Sequence, residues 1–214
     1  MSHNGKIIIY YSYWFLNEVM EVMRFTGEDF YKHFFCGFQE YVKKNEAKYN
    51  RTKSDAAWTE FVKDGFLGEL AKKLGFKEAK EGIYGVDITW EKPSEGILIT
   101  IEHENDIKSV WKREIPNLLK TAAPLKVLIT YVDDAEFPGE SIANKLLAYL
   151  KEANFNQEFL LILGSTSMNE PTDWVGHYYR PELTCRSLIL CSNKLQAESS
   201  PARKAWKTRK QTQS

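Results

Sequence analysis

Three carboxylates are the residues of this sequence best placed to do chemistry together. Glu102 and Glu104 end the apolar stretch ILITIEHE, and Asp87 interrupts the neighbouring apolar stretch GIYGVDITW. Residues two apart in a strand point to the same face, so Glu102 and Glu104 project together. Like charges held about 6 to 7 Å apart at the end of an apolar strand repel unless a cation lies between them. Alternatively, the strand reaches water there and both carboxylates are solvated.

A hairpin would bring Asp87 to the two glutamates. The polar loop EKPSEG separates the two stretches and predicts a turn between antiparallel strands. If the hairpin closes symmetrically over this loop, position 87 lies opposite position 100, so Asp87 and Glu102 are diagonal neighbours on one face. Carboxylate oxygens, with positions open for water and a phosphate, suit a hard divalent cation. The sequence therefore predicts a site for Mg²⁺ or Mn²⁺ at the end of this hairpin.

The elements around the hairpin alternate between helices and strands. Apolar residues at helical spacing predict four helices. They cover about 13–48 with Thr26 as an N-cap, about 54–74 ending at Gly75, 105–123 with a kink at Pro116, and about 141–152. The stretches LKVLITYV, EFLLILGS and RSLILCS predict further strands, and the first has the composition of a central strand covered on both faces. This order predicts an α/β fold with a mixed central sheet flanked by helices.

Residues 54–132 resemble the PD-(D/E)xK nuclease superfamily, whose core is that of restriction endonucleases. The shared pattern is a helix, a strand carrying Asp, a strand about fifteen residues later that ends Glu-x-Lys or Glu-x-Glu, then a helix and a strand. In this chain Asp87 matches the first acidic motif, and Glu102 and Glu104 match the second. The resemblance implies a Mg²⁺-dependent nuclease that hydrolyses DNA phosphodiester bonds in restriction or DNA processing, with these three residues in the catalytic site.

One position departs from that pattern, because Glu104 stands where the superfamily usually has Lys. The following helix offers three lysines that could supply the missing positive charge, namely Lys108, Lys112 and Lys120. Lys108 lies one turn beyond Glu104 and is therefore our first choice for a catalytic role. The resemblance also implies a further metal ligand from the preceding helix, Glu60 or Glu69, and of these we take Glu60.

Two alternatives remain open at this stage. In one, the chain keeps the nuclease fold without catalysis and serves as a nucleic-acid-binding or protein-interaction subunit, which the substitution by Glu104 favours. In the other, the acidic strand end is accidental and there is no nuclease ancestry. The neutral overall charge also favours the first of these alternatives, because Lys plus Arg and Asp plus Glu both number 29.

Charge is unevenly distributed along the chain. Residues 199–214 contain five basic and no acidic residues, which favours contact with DNA phosphates. We therefore expect a helical N-terminal lobe over 1–50, a restriction endonuclease-like α/β domain over 51–195, and a basic disordered tail over 196–214. The N-terminal helices could also form a homodimer.

Two sequence features bear on localisation. The chain has no long apolar run that could span a membrane and no recognisable signal peptide, and its three cysteines lack CxxC spacing. These features favour reduced thiols and a cytoplasmic protein without zinc.

Other polar residues have weaker claims to a role in the site. His103 points away from both glutamates in any regular strand, so we expect it to pack or to lie at the surface. Asp133 and Asp134 follow a central strand and are left out of the site. The segment DWVGHYYRPE is predicted to be a loop, whose aromatic residues either contact bases or anchor the loop.

Overall fold

The structure is a computed structural model that describes residues 25–52, 54–80, 85–132, 139–165, 174–182 and 184–188. Its helices are α1 (Gly27–Lys44), α2 (Glu46–Tyr49), α3 (residues 55–73), α4 (residues 107–120) and α5 (Gly139–Glu152). Asp133, Asp134, the basic tail and the first third of the predicted N-terminal helix lie outside the described residues. None of the helices in the described ranges is long and apolar enough to cross a membrane.

Local sequence signals set the helix ends as predicted. The Thr26 hydroxyl accepts a hydrogen bond from the backbone N–H of Asp29, whose carboxylate accepts one from the N–H of Thr26. This reciprocal pair satisfies free N–H groups at the start of α1. Helix α3 ends before Gly75, which has a φ of +76° that costs glycine little and other residues more.

In the described part of the chain, seven strands form one mixed sheet in which neighbours in sequence are neighbours in space. They are β1 (Lys77–Lys80), β2 (Ile88–Lys92), β3 (Gly96–Glu104), β4 (Leu125–Val132), β5 (Glu158–Ser165), β6 (Val175–Tyr179) and β7 (Cys185–Leu188). Strands β3, β4 and β5 are parallel, and the other pairs are antiparallel. The α/β class is confirmed, and β4 is buried along its whole length, as expected of a central strand.

Helices cover both faces of the sheet, so the fold has three layers. On one face, the aromatic side of α1 and the apolar side of α3 pack on side chains such as Ile101 of β3 and Ile129 of β4. On the other face, α4 and α5 pack on side chains such as Leu128. The aromatic side of α1 is thus covered within the chain. Dimerisation through the N-terminal helices remains a prediction.

The prediction of a loop over DWVGHYYRPE was wrong, because residues 175–179 form strand β6. Strand β6 lies between β5 and β7, and both of its faces are covered: Tyr178 packs in the core under α1, and Tyr179 packs in the core under α5. Trp174 and His177 are also buried, whereas Arg180 is exposed. The buried aromatic rings are therefore core residues and cannot stack on bases.

The predicted register of the hairpin was also wrong, by two residues. Ile88 pairs with Ile101, and Trp90 pairs with Ile99, so position 87 falls opposite position 102 and not position 100. The turn over residues 93–95 shifts the pairing by one residue, and an irregularity between Trp90 and Glu91 shifts it by another. Because a shift of two residues preserves the face, Asp87 remains on the side of the sheet occupied by Glu102.

Candidate functional site

Asp87 and Glu102 lie side by side at the end of the hairpin. Asp87 directly precedes β2, and its backbone N–H donates to Oε2 of Glu102 at 3.2 Å. Oδ2 of Asp87 accepts a hydrogen bond of 3.0 Å from the backbone N–H of His103. These two bonds continue the pairing of the hairpin beyond β2, with side-chain oxygens replacing backbone carbonyls. The backbone of the hairpin therefore holds the carboxyl groups of Asp87 and Glu102 next to each other.

Lys63 of α3 supplies a positive charge to this pair. Its Nζ lies 2.5 Å from Oδ1 of Asp87, and both side chains are partly shielded from water. Lys63 belongs to a π-helical stretch, Glu60–Leu67, between two α-helical turns. Such stretches add one residue to a helical turn and recur at functional sites. The stretch buries Phe61 and Val62 in the core while the Lys63 ammonium group reaches the hairpin.

Glu102 is almost completely buried, with 1 % of its surface exposed. No hydrogen-bond donor among the described residues reaches its Oε1. Burial, followed by the negative charges of Asp87 and Glu114, raises the pKa of Glu102 to about 9. In the absence of a bound cation, this carboxyl group is therefore protonated at neutral pH.

A second pair of carboxyl groups lies next to the first. Glu114, on α4, is 5 % exposed, and burial raises its pKa. Its carboxyl group is within hydrogen-bonding reach of that of Glu104 and accepts a bond of 2.6 Å from Nε of Arg113. Arg113 also contacts Glu104 at 3.2 Å, although its own side chain is 67 % exposed. Glu104 additionally accepts a hydrogen bond from the backbone N–H of Asp106, the N-cap residue of α4.

The remaining candidates from the sequence are exposed, and two of them form ion pairs with other residues. Glu60 forms an exposed ion pair of 3.0 Å with Lys48, and Glu69 forms one of 3.2 Å with Lys44. The structure therefore does not bring either carboxylate to Asp87. The lysines of α4 that were considered as replacements for the motif Lys are exposed: Lys108, Lys112 and Lys120.

His103 points to the opposite face of the sheet, as predicted. Its Nε2 lies 2.7 Å from the hydroxyl of Tyr131, and burial lowers the pKa of the ring to about 4. The ring is therefore neutral and packed under α3, while the backbone N–H of the same residue holds Asp87.

The carboxylate oxygens at this site suit a divalent cation that takes few ligands from the protein. Within the described residues, no group of three or more His, Cys, Asp or Glu side chains is arranged to hold a metal ion. Mg²⁺ is commonly held by one or two carboxylates, with water and substrate phosphate completing its shell. Asp87 and Glu102 form such a pair, and no donor among the described residues reaches the buried Oε1 of Glu102, so an ion there would displace only the proton of that carboxyl group. The residues present therefore fit Mg²⁺ or Mn²⁺.

The sequence analysis missed Lys63 and Glu114. Glu114 had a visible signal, because it stands between Val110 and Leu118 at helical spacing, where an apolar residue is expected. Lys63 had none, because a lysine near the edge of an apolar helical face is ordinarily solvated. Both residues lie in π-helical stretches, the second being Val110–Glu114, which regular α-helical spacing does not anticipate.

Comparison with known proteins adds no relative. No protein-family model matches this chain, and neither curated proteins nor solved structures give a match.

Proposed function

We propose that this chain is a metal-dependent nuclease that hydrolyses DNA phosphodiester bonds, with Asp87 and Glu102 holding the ion. The observation that carries the proposal is the buried carboxyl group of Glu102, which has one oxygen without a donor and Asp87 beside it. A buried polar group normally has a partner, and a cation would supply one here.

The order of elements supports a restriction endonuclease-like core. Helix α3 is followed by the antiparallel strands β1, β2 and β3, then by α4 and by β4, which is parallel to β3. Asp87 stands directly before β2, and Glu102 stands near the end of β3. This is the arrangement of helix, Asp-bearing strand, Glu-bearing strand, helix and strand on which the resemblance to PD-(D/E)xK nucleases rests.

The chain's own residues have separate tasks in this proposal. A bound Mg²⁺ or Mn²⁺ supplies a Lewis acid for the scissile phosphate and lowers the pKa of water. Asp87 and Glu102 bind the ion through oxygens that the hairpin backbone keeps in place. We assign to Lys63, and no longer to Lys108, the positive charge that stabilises negative charge developing on the phosphate.

One observation favours a second candidate, a nuclease-fold subunit that binds nucleic acid without cutting it. The Lys63 ammonium group already lies against Asp87 and can neutralise it without a metal ion. A site that has lost catalysis would retain such an ion pair, because the pair also stabilises the fold.

A cleavage assay tests the proposal. Wild-type protein should cut DNA in the presence of Mg²⁺, and Glu102→Gln should abolish cutting while leaving DNA binding intact, because only the charge that holds the ion is lost. Glu95→Gln is the matched control, because this substitution makes the same change of charge in the exposed turn between β2 and β3. His103→Ala is unsuitable as a control, because the ring is buried and bonded to Tyr131.

The outcomes separate the two candidates. Cutting by Glu102→Gln at the wild-type rate would contradict an ion held by Asp87 and Glu102. Binding of DNA without cleavage by the wild type, in Mg²⁺ and in Mn²⁺, would favour the non-catalytic subunit.

A further inference from the structure

Helix α4 presents only positive charge to the solvent. The exposed charged residues between its first and last positions are all basic, and its one acidic residue, Glu114, is buried. These basic residues are Lys108, Lys112, Arg113 and Lys120. Helices α1 and α3 differ, because they expose charges of both signs, and their lysines and glutamates form ion pairs with each other. Like charges four residues apart on a helix repel, so the charge pattern of α4 is unfavourable for the helix by itself.

Two of the basic residues of α4 have no nearby carboxylate to offset their charge. Arg113 contacts two glutamates, and Lys108 follows the exposed Asp106, whose carboxylate accepts the backbone N–H of Lys108 at 2.9 Å. Within the described residues, Lys112 and Lys120 form no ion pair. They are eight residues apart, which is two steps between neighbours on one side of a helix, and about 12 Å along the axis.

Lys145 of α5 adds a third positive charge across the gap between the two helices. Its exposed ammonium group lies 4.2 Å from the centre of the Trp111 ring, and Trp111 is the residue before Lys112. The face of an aromatic ring attracts a cation, so this ammonium group is held in place while it remains open to solvent. A side chain that is already positioned loses less conformational freedom when it binds an anion. We call Lys112, Lys120 and Lys145 the α4–α5 surface.

Helix α4 is attached to the hairpin that carries the candidate site. Arg113, next to Lys112 in the sequence, contacts Glu104 at 3.2 Å. Nδ2 of Asn117 donates a hydrogen bond of 3.3 Å to the backbone carbonyl of Gly85, which lies two residues before Asp87 in the chain. A long anion bound along the exposed side of α4 would therefore pass beside the candidate site.

We propose that the α4–α5 surface binds the phosphate backbone of DNA while Asp87 and Glu102 act on a nearby phosphate. Duplex DNA carries one negative charge about every 1.7 Å along its axis, so a surface about 12 Å long faces several phosphates. Lysine contacts of this kind position the duplex and read no base sequence. This inference rests on the proposed function, because it concerns the same substrate. It explains how a chain with no net charge can bind a polyanion: the positive charge is concentrated on one surface.

Fluorescence anisotropy with a labelled DNA duplex tests this surface. The measurement is made in chelator, where no metal-dependent cleavage occurs, over a range of about 0.05 to 0.2 M salt. Replacing Lys112, Lys120 and Lys145 together by Gln should weaken binding about 10²-fold in about 0.1 M salt. The slope of log affinity against log salt concentration should become shallower by about 2.7, because each lysine neutralises one phosphate.

A control variant separates this surface from general electrostatic attraction. Lys32, Lys43 and Lys72 are exposed lysines of α1 and α3, on the other face of the sheet, and form no ion pair within the described residues. Replacing them together by Gln removes the same charge and should leave the salt slope unchanged. Arg in place of the three lysines of the α4–α5 surface keeps the charge and should retain the wild-type slope.

The outcomes distinguish this inference from the proposed function. A wild-type salt slope in the Gln variant of the α4–α5 surface, or an equal loss of binding in the control variant, would overturn the inference and leave the metal site untouched. If the triple variant does not fold, each single Gln substitution should lower the slope by about 1, and an unchanged slope in all three would overturn the inference. A wild type that binds no DNA at low salt would overturn the proposed function itself, and this inference with it.

Discussion

Replacing Glu102 by Gln should stabilise the metal-free protein, and the gain should grow with pH. Glutamine has nearly the shape of glutamate, so the buried site stays filled. Its amide oxygen can still accept the hydrogen bond from the backbone N–H of Asp87. Its amide N–H₂ can donate to the Asp87 carboxyl group, which lies within reach of the Glu102 side chain.

The size of the gain follows from the pKa of Glu102. Burial and the neighbouring negative charges raise this pKa from 4.5 to about 9 in the folded state. Below pH 4.5, Glu102 is protonated in both the folded and the unfolded state and contributes no pH dependence. As the pH rises from 4.5 to 9, only the unfolded state ionises readily, so wild-type stability falls by about 1.4 kcal/mol per pH unit. The variant lacks this group, so it should exceed the wild type by about 3 kcal/mol at pH 7 and by less than about 1 kcal/mol at pH 5.

Urea unfolding of both proteins in chelator, at pH 5, 6, 7 and 8, measures this difference directly. A gain of about 3 kcal/mol corresponds to a midpoint shift of roughly 1 to 3 M urea. Equal stabilities at pH 7, or a gain that does not shrink towards pH 5, would refute the statement that Glu102 is buried among negative charges. Glu95→Gln, in the exposed turn, should follow the wild type at every pH.

Three further predictions test other parts of the structure. Thr26→Ala removes the cap of α1 and should cost about 1 kcal/mol in urea unfolding, whereas no loss would argue against the cap. Tyr131→Phe removes the partner of the buried His103 ring and should cost about 1 to 3 kcal/mol by the same measurement; a neutral result would contradict that bond. Lys63→Met should reduce DNA cleavage about 10²-fold while Lys108→Met retains it, and the reverse order would restore Lys108 as the catalytic lysine.

Much of the fold follows from local sequence patterns. Strand β4 could be predicted because its uninterrupted apolar run suits only a strand covered on both faces. Thr26 and Gly75 mark helix ends through hydrogen bonds and backbone angles that depend on nearby residues. Strand β6 could not be recognised from the sequence, because its glycine, histidine and tyrosines are small or polar residues. They are buried in the core only because β5 and β7 pair with the strand on either side.

The candidate site could be predicted in part. The alternation of residues along β3 placed Glu102 and Glu104 on one face, and the hairpin brought Asp87 to Glu102 even though the register was wrong. Its contact with Lys63 could not be predicted, because it depends on how α3 packs across the sheet and on a π-helical stretch. Such contacts arise from tertiary packing, which sequence spacing alone does not encode.

Calorimetric titration of Mn²⁺ into the wild type and into Asp87→Ala tests the central claim most directly. Asp87 and Glu102 are held at one point by the hairpin, so the wild type should bind one Mn²⁺ at sub-millimolar concentration. Asp87→Ala removes one of the two carboxylates and should lose that binding. A wild type that binds no Mn²⁺ at millimolar concentration, or an Asp87→Ala variant that binds it as tightly as the wild type, would contradict the claim.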